Sequence, residues 1–136
     1  MQDITLNPYI FFQGNCREAM EFYQGIFNGE LYFQTHGEVD KNAPPEMKDK
    51  IMHASLTGGL VTLMGSDTEQ ASAKAAKISL SLNGGDEERL TNIFNRLSVD
   101  GDVQYPLKKE FWGDTFGGFV DKFGVEWMVN ISGEKE

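Results

Sequence analysis

Two histidines, one cysteine and twenty-one carboxylates are the side chains of this 136-residue chain that could carry acid–base, nucleophilic or metal chemistry. His53 falls in the run Ile51 to Thr57 on the polar side of an alternating pattern, with Ser55 and Thr57, where an imidazole can serve as general base or hydrogen-bond donor near neutral pH. Glu126 is its candidate carboxylate partner. The bland alternatives are a histidine hydrogen-bonded in place and a solvated strand glutamate. His36 borders a loop and is expected to be solvated. Cys16 sits in the first turn of a helix, where the dipole can lower a thiol pKa, yet it also falls on the apolar stripe with Ala19, Met20 and Tyr23, which favours a small buried hydrophobe. No H-E-x-x-H, C-x-x-C or nucleophile-elbow spacing occurs, so nucleophilic and zinc-hydrolytic chemistry have little support.

The elements that position these residues come in two copies. After Gly14, Asn15 and Glu18 have the spacing of a capping box, and the apolar residues from Cys16 to Phe27 recur at helical period until Asn28-Gly29, which predicts a helix at about 15 to 27. A second helix is predicted from Asp86, with Leu90, Ile93, Phe94 and Leu97 as its stripe. Subtracting 71 carries Asp86 to Asn15, Leu90 to Ala19, Phe94 to Tyr23 and Leu97 to Ile26. A strand is predicted before each helix (Ile4 to Phe12; Lys77 to Asn83). Three more strands follow each: Gly29 to Thr35, Ile51 to Thr57 and Leu60 to Met64, then Asp102 to Leu107, Asp114 to Asp121 and Val125 to Ile131. Gly58-Gly59 and Lys122-Phe123-Gly124 read as the equivalent turns, and residues 36 to 50 and 66 to 76 as loops or a short helix. The pattern is βαβββ twice.

Alternation along these strands separates a dry face from a wet one. Ile78, Leu80 and Leu82 oppose Lys77, Ser79 and Ser81; Val125, Trp127, Val129 and Ile131 oppose Glu126, Met128 and Asn130; Val61 and Leu63 oppose Leu60, Thr62 and Met64; Met52, Ala54 and Leu56 oppose His53, Ser55 and Thr57. The expected fold class is α+β: two tandem βαβββ modules, about 1–65 and 77–136, forming a curved mixed sheet with helices on the convex face and a concave small-molecule cleft. Cover by a dimer partner is the alternative explanation for the mixed face. Phe111, Trp112 and Phe116, spaced by glycines, suit either a pocket wall or a dimer interface.

Composition narrows the setting. At 15.2 kDa, with 40% hydrophobic and 24% charged residues, the chain fits one globular domain over 1–136. No apolar run approaches the roughly 20 residues of a membrane span. A net charge of -9 opposes attraction to phosphate backbones, so neither nucleic acid nor membrane is an expected partner. The segment MQDITLNPYIFF has none of the features of a secretory signal, and the single Cys16 can make no internal disulfide, so a cytoplasmic location is expected.

Four stretches carry a family resemblance: Asn7 to Cys16, Glu18 to Tyr23, Met52-His53-Ala54, and Phe111 to Gly117 running on to Asp121 to Met128. Together they resemble the PhnB-like branch of the glyoxalase/bleomycin resistance protein/dioxygenase superfamily, also called vicinal oxygen chelate, over nearly the whole chain. The resemblance implies paired βαβββ modules and a homodimer, and for many members a divalent metal held by His and Glu on the first, fourth, fifth and eighth strands. The matching positions here are about Pro8, Thr62, Lys77 and Met128, none a usual ligand, and Lys77 would set a cation where the metal belongs. No metal and no cofactor are therefore expected. Relatives have carried a demethylubiquinone methyltransferase label, but no G-x-G-x-x-G turn supports a nucleotide-like cofactor.

The expectation that follows is a small-molecule binding protein with His53, Thr62, Met64, Lys77, Ser79, Trp112, Phe116 and Met128 around its ligand. The competing expectation is an enzyme of unknown reaction using His53 and Glu126 in the same cleft, and a third is a structural dimerisation module.

Overall fold

The helix that begins after Gly14 buries Cys16, Ala19, Met20, Tyr23, Ile26 and Phe27 along one side. It stops where Asn28 and Gly29 take positive φ, of 63° and 103°, which ends the helical hydrogen-bond ladder. A computed structural model describes residues 6–68 and 78–133. Its first unit, Met1–Ala73, runs β1 (Tyr9–Phe12), α1 (Cys16–Phe27), β2 (Glu30–Thr35), α2 (His36–Val39), β3 (Ile51–Thr57) and β4 (Leu63–Asp67). The second, Lys74–Glu136, runs β5 (Leu80–Gly84), α3 (Glu87–Leu97), β6 (Asp102–Lys109), β7 (Thr115–Val120) and β8 (Glu126–Ile131).

Each unit holds one four-stranded mixed sheet, in the order β1-β4-β3-β2 and β5-β8-β7-β6. Relative to its own module the order is first, fourth, third, second both times. The outer pairs β1·β4 and β5·β8 are parallel, the others antiparallel. The α+β architecture and the duplicated βαβββ plan are thus present, with α1 and α3 at equivalent places.

Several expectations shift. The capping box at Asn15 does not form. The Asn15 side chain makes no cap bond, and Asp67 at the end of β4 caps α1 instead, its Oδ1 accepting from Cys16 N at 2.9 Å and Gly14 N at 3.0 Å. The fourth strand starts at Leu63 rather than Leu60, because Leu60 N–H donates to Phe27 O at 3.0 Å. The turn after Gly58-Gly59 is therefore tied to the end of α1 before the chain can rejoin the sheet. Ile78 precedes β5 and is 74% exposed, so it does not share the buried side of Leu80 and Leu82.

A bulge reorients β3. Gln34 pairs with His53 and Thr35 with Ile51, leaving Met52 as the extra residue, so Ile51 and Ala54 are both buried while His53 turns to the opposite side. In the second unit the close packing of α3 explains a glycine: a Cβ on Gly117 would lie 2.8 Å from Phe94 Cε2. Phe94 and Phe119 meet edge to face, with centroids 4.9 Å apart.

Candidate functional site

Each sheet buries one side beneath the long helix of its own unit, and among the described residues of that unit no helix packs on the other side; the two open sides differ in chemistry. In the first unit the pairs Tyr9↔Met64, Ser55↔Met64, Tyr32↔Ser55 and Gln34↔His53 share the open side. Alternation in β1 puts Ile10 and Phe12 toward α1 and leaves Tyr9 and Phe11 39% and 64% exposed. Alternation in β3 puts His53 on the side of Ser55, and the bulge at Met52 turns only Ile51 back under the helix. The hydroxyl of Tyr9 lies 3.2 Å from His53 Nδ1 and the ring centroids are 5.8 Å apart. The hydroxyl donates to Nδ1 in one imidazole tautomer and accepts from Nδ1–H in the other. Either way the contact orients the imidazole and leaves Nε2 as the ring nitrogen able to meet a ligand.

The open side of the second sheet is polar. Ser79 Oγ donates to the Glu126 carboxylate. Asn130 Nδ2 donates to Asp114 Oδ2 at 3.2 Å, and Gly133 N to Asp114 Oδ1 at 2.9 Å. Met128 pairs with Ser81 and Gly118, and Phe116 with Asn130 and Lys108, so both side chains join this face.

Of the residues expected around a ligand, His53 and Met64 therefore share the open face of the first sheet, while Ser79, Phe116 and Met128, with Glu126, share that of the second. Thr62 lies off the sheet, in the turn before β4. Trp112 sits in the turn between β6 and β7, 54% exposed, its ring edge-on to Phe111 at 4.8 Å between centroids. Lys77 lies outside the described residues. His36 opens α2, whose first turn is held by a Thr35–Glu38 capping box. Cys16 is fully buried, and that burial, aided by the Asp67 charge and opposed by Arg17, pushes its thiol up to about 12, so helix-dipole activation does not win there.

Sequence reasoning missed Tyr9, Phe11 and Tyr32, which dominate the first open face. The signal was present in the parity of Tyr9 and Phe11 against Ile10 and Phe12. It also gave no role to two aspartates that hold the scaffold. Asp121 is 3% exposed and accepts from Phe123 N at 2.9 Å, Val125 N at 3.0 Å and Trp127 Nε1 at 2.9 Å. The D-K-F-G-V-x-W block is in this chain a turn locked by its first residue. Asp67 does similar work, taking Ile51 N on Oδ2 at 2.9 Å besides the two amides at the start of α1. It also lines a cavity of about 270 Å³ with Gln13, Gly14, Met47, Lys50 and Thr68, at the ends of β1 and β4.

The donors at the superfamily's metal positions do not fit a divalent ion. The Pro8 carbonyl accepts from Met64 N at 3.0 Å within the sheet, Thr62 is in a turn, and Met128 offers a thioether, too soft for the hard or borderline cations in question. Among the described residues no three His, Cys, Asp or Glu side chains gather as a metal-holding group, and no helix is long and apolar enough to cross a membrane.

A family model described as 3-demethylubiquinone-9 3-methyltransferase matches residues 4–130. Protein PA1353 from Pseudomonas aeruginosa is 39% identical, with 97% of this chain and 100% of that one covered and a TM-score of 0.82. The PhnB protein from Bacillus cereus is 25% identical over 95% of this chain and 100% of its own, with a TM-score of 0.75. Protein YjdN from Escherichia coli strain K12 is 29% identical over 140 residues, covering 94% of this chain and 95% of that protein. More distant solved structures of glyoxalase/bleomycin resistance type share the fold alone.

Proposed function

This chain belongs to the family described as 3-demethylubiquinone-9 3-methyltransferase, the PhnB-like branch of the glyoxalase/bleomycin resistance superfamily, and on that footing we propose that it binds a small, flat or apolar molecule without using the superfamily's metal site. The observation that carries the reading is the pair of exposed rings of Tyr9 and Phe11 on one edge strand, with His53 against Tyr9 and the exposed ring of Tyr32 on the opposite edge strand, on the sheet face turned away from α1. Such a face offers apolar area for affinity and one polar group for orientation, the usual make-up of a small-molecule site. Met64 adds adaptable surface there, and the polar open face of the second sheet, with Ser79, Phe116 and Met128, is proposed as a ligand-binding surface of its own.

Methyl transfer is not part of this reading. The sequence has no G-x-G-x-x-G turn for a nucleotide-like methyl donor, and amides at both helix starts are engaged by the protein's own carboxylates. Asp67 holds the amides of Gly14 and Cys16 at the start of α1, and Asp86 accepts from Arg89 N at 3.1 Å at the start of α3. A second reading, an enzyme using His53 and Glu126, is favoured by the fact that each has a defined partner, Tyr9 and Ser79.

The chain is further proposed to act as a homodimer in the cytoplasm. The turn carrying Phe111, 96% exposed, and Trp112 supports an interface, and the free thiol of Cys16 suits a reducing compartment. Light scattering on the purified protein reads the mass directly, and a monomer at micromolar concentration removes the dimer from the proposal.

A thermal-shift screen of small aromatic compounds tests the main reading. A ligand selective for the native state, present at 100 times its Kd, stabilises by about 2.7 kcal/mol. For a chain of this size that corresponds to a rise in Tm of several degrees, roughly 5 to 10 °C. If no aromatic compound at millimolar concentration moves the midpoint, the reading is wrong. Metal analysis adds a check, since about one tightly bound divalent ion per chain would favour the enzyme reading.

A further inference from the structure

We propose that the open face of the first sheet selects flat organic cations, such as N-alkylated heteroaromatic rings, over neutral or anionic rings of the same size; this deepens the ligand-binding reading and rests on it. Three part-exposed rings stand on the face: Tyr9 at 39%, Phe11 at 64% and Tyr32 at 55%. Tyr9 and Phe11 have centroids 5.1 Å apart and are tilted by 39°, so they present two π surfaces at an angle to each other. The face of an aromatic ring is the negative end of its quadrupole and attracts a cation held within about 6 Å of its centre.

Two rings of the chain lie under cations of its own. On the opposite side of the same sheet the Arg17 guanidinium lies 4.5 Å from the Phe33 centroid, and in the second unit the Lys122 ammonium lies 5.5 Å from that of Phe123. Among the described residues no Lys or Arg is so placed over Tyr9, Phe11 or Tyr32.

The other groups on this face point the same way. Strand register puts Glu30 on the side of Tyr32, exposed at the start of β2 on the edge opposite β1, and among the described strand residues of the face it is the one carboxylate. Among the described strand residues of this face the remaining titratable group besides the tyrosines is His53, whose Nδ1 lies against the Tyr9 hydroxyl, and none is a lysine or arginine. A cationic ring thus meets π clouds and a carboxylate in a chain of net charge -9. A neutral ring of equal area gains the same apolar burial without the charge term, and an anionic ring is opposed by both.

Titrating the full chain at pH 8 and about 0.15 M salt with 1-methylquinolinium, quinoline and quinoline-2-carboxylate isolates the charge, because the bicyclic ring is nearly constant. The expected result is that the quinolinium binds about three- to tenfold tighter than quinoline, with the carboxylate weakest. Glu30→Gln and Tyr32→Leu should each pull that ratio toward one while leaving thermal unfolding nearly unchanged. Quinoline binding as tightly as the quinolinium overturns the cation preference and leaves the ligand-binding reading standing. A preference that survives in both variants overturns its assignment to this face. No binding by any of the three at millimolar concentration removes the reading and the preference together.

Discussion

The two modules repeat a topology and a helix position, and beneath their helices they solve the same packing problem; on the other side of their sheets they have little in common. Under α1 the first sheet presents Ala54, Leu56 and Leu63, and under α3 the second presents Phe119, Trp127, Val129 and Ile131, all buried. The open side of the first carries Tyr9, Phe11, Tyr32 and His53, whereas that of the second carries the Ser79–Glu126 and Asn130–Asp114 pairs. A side chain packed under a helix is constrained in volume by everything it touches, while one on the open side is not. Two copies of one plan can therefore diverge freely only on the sides their own helices do not cover.

The largest effect expected from this contrast is on stability. Trp127→Ala should cost about 3 to 5 kcal/mol in urea unfolding, since it empties a core site and leaves Asp121 without its indole donor. Tyr32→Ala on the open side should cost under about 1 kcal/mol. Comparable losses for the two would erase the distinction between the sides. Asp67→Ala and Asp121→Ala come next, at about 1 to 3 kcal/mol each, because each removes the acceptor of three N–H donors, two of them part-buried in each case. An effect confined to one of them would mean that the modules are braced differently.

How far the sequence reached can be judged from particular elements. Helical period and the 71-residue offset placed both helices to within a residue or two, because each must bury one stripe. Strand β3 was legible from its alternation, but the bulge at Met52 was not, since no local signal marks an extra residue in a pair of strands. The cap of α1 was misread for a plainer reason: Asp67, which supplies it, is 51 residues from Cys16. The D-K-F-G-V-x-W block has the look of chemistry, yet its aspartate and tryptophan spend their polar atoms on each other and on the turn.

A smaller effect concerns Cys16. Its thiol is pushed from an ordinary 9.0 up to about 12, so the native state holds its proton over a range where the unfolded chain has lost it. The stability this contributes is complete below pH 9 and disappears as pH climbs toward 12. Cys16→Ala should flatten the alkaline limb of a stability–pH curve, and the native thiol should resist iodoacetamide until the protein unfolds. The smallest effect is expected for Glu126→Gln, which keeps an acceptor for Ser79 and should alter unfolding by under about 0.5 kcal/mol. A larger change there would show that the polar face braces the fold after all.

The carboxylate of Asp67 joins the loop before α1, the first residue of that helix and the first residue of β3 through a single side chain. Amide protons of Gly14, Cys16 and Ile51, far apart along the backbone, are thus sheltered by one group and should exchange with deuterated solvent on a common clock. The first module would then open at that corner as one cooperative piece, not strand by strand.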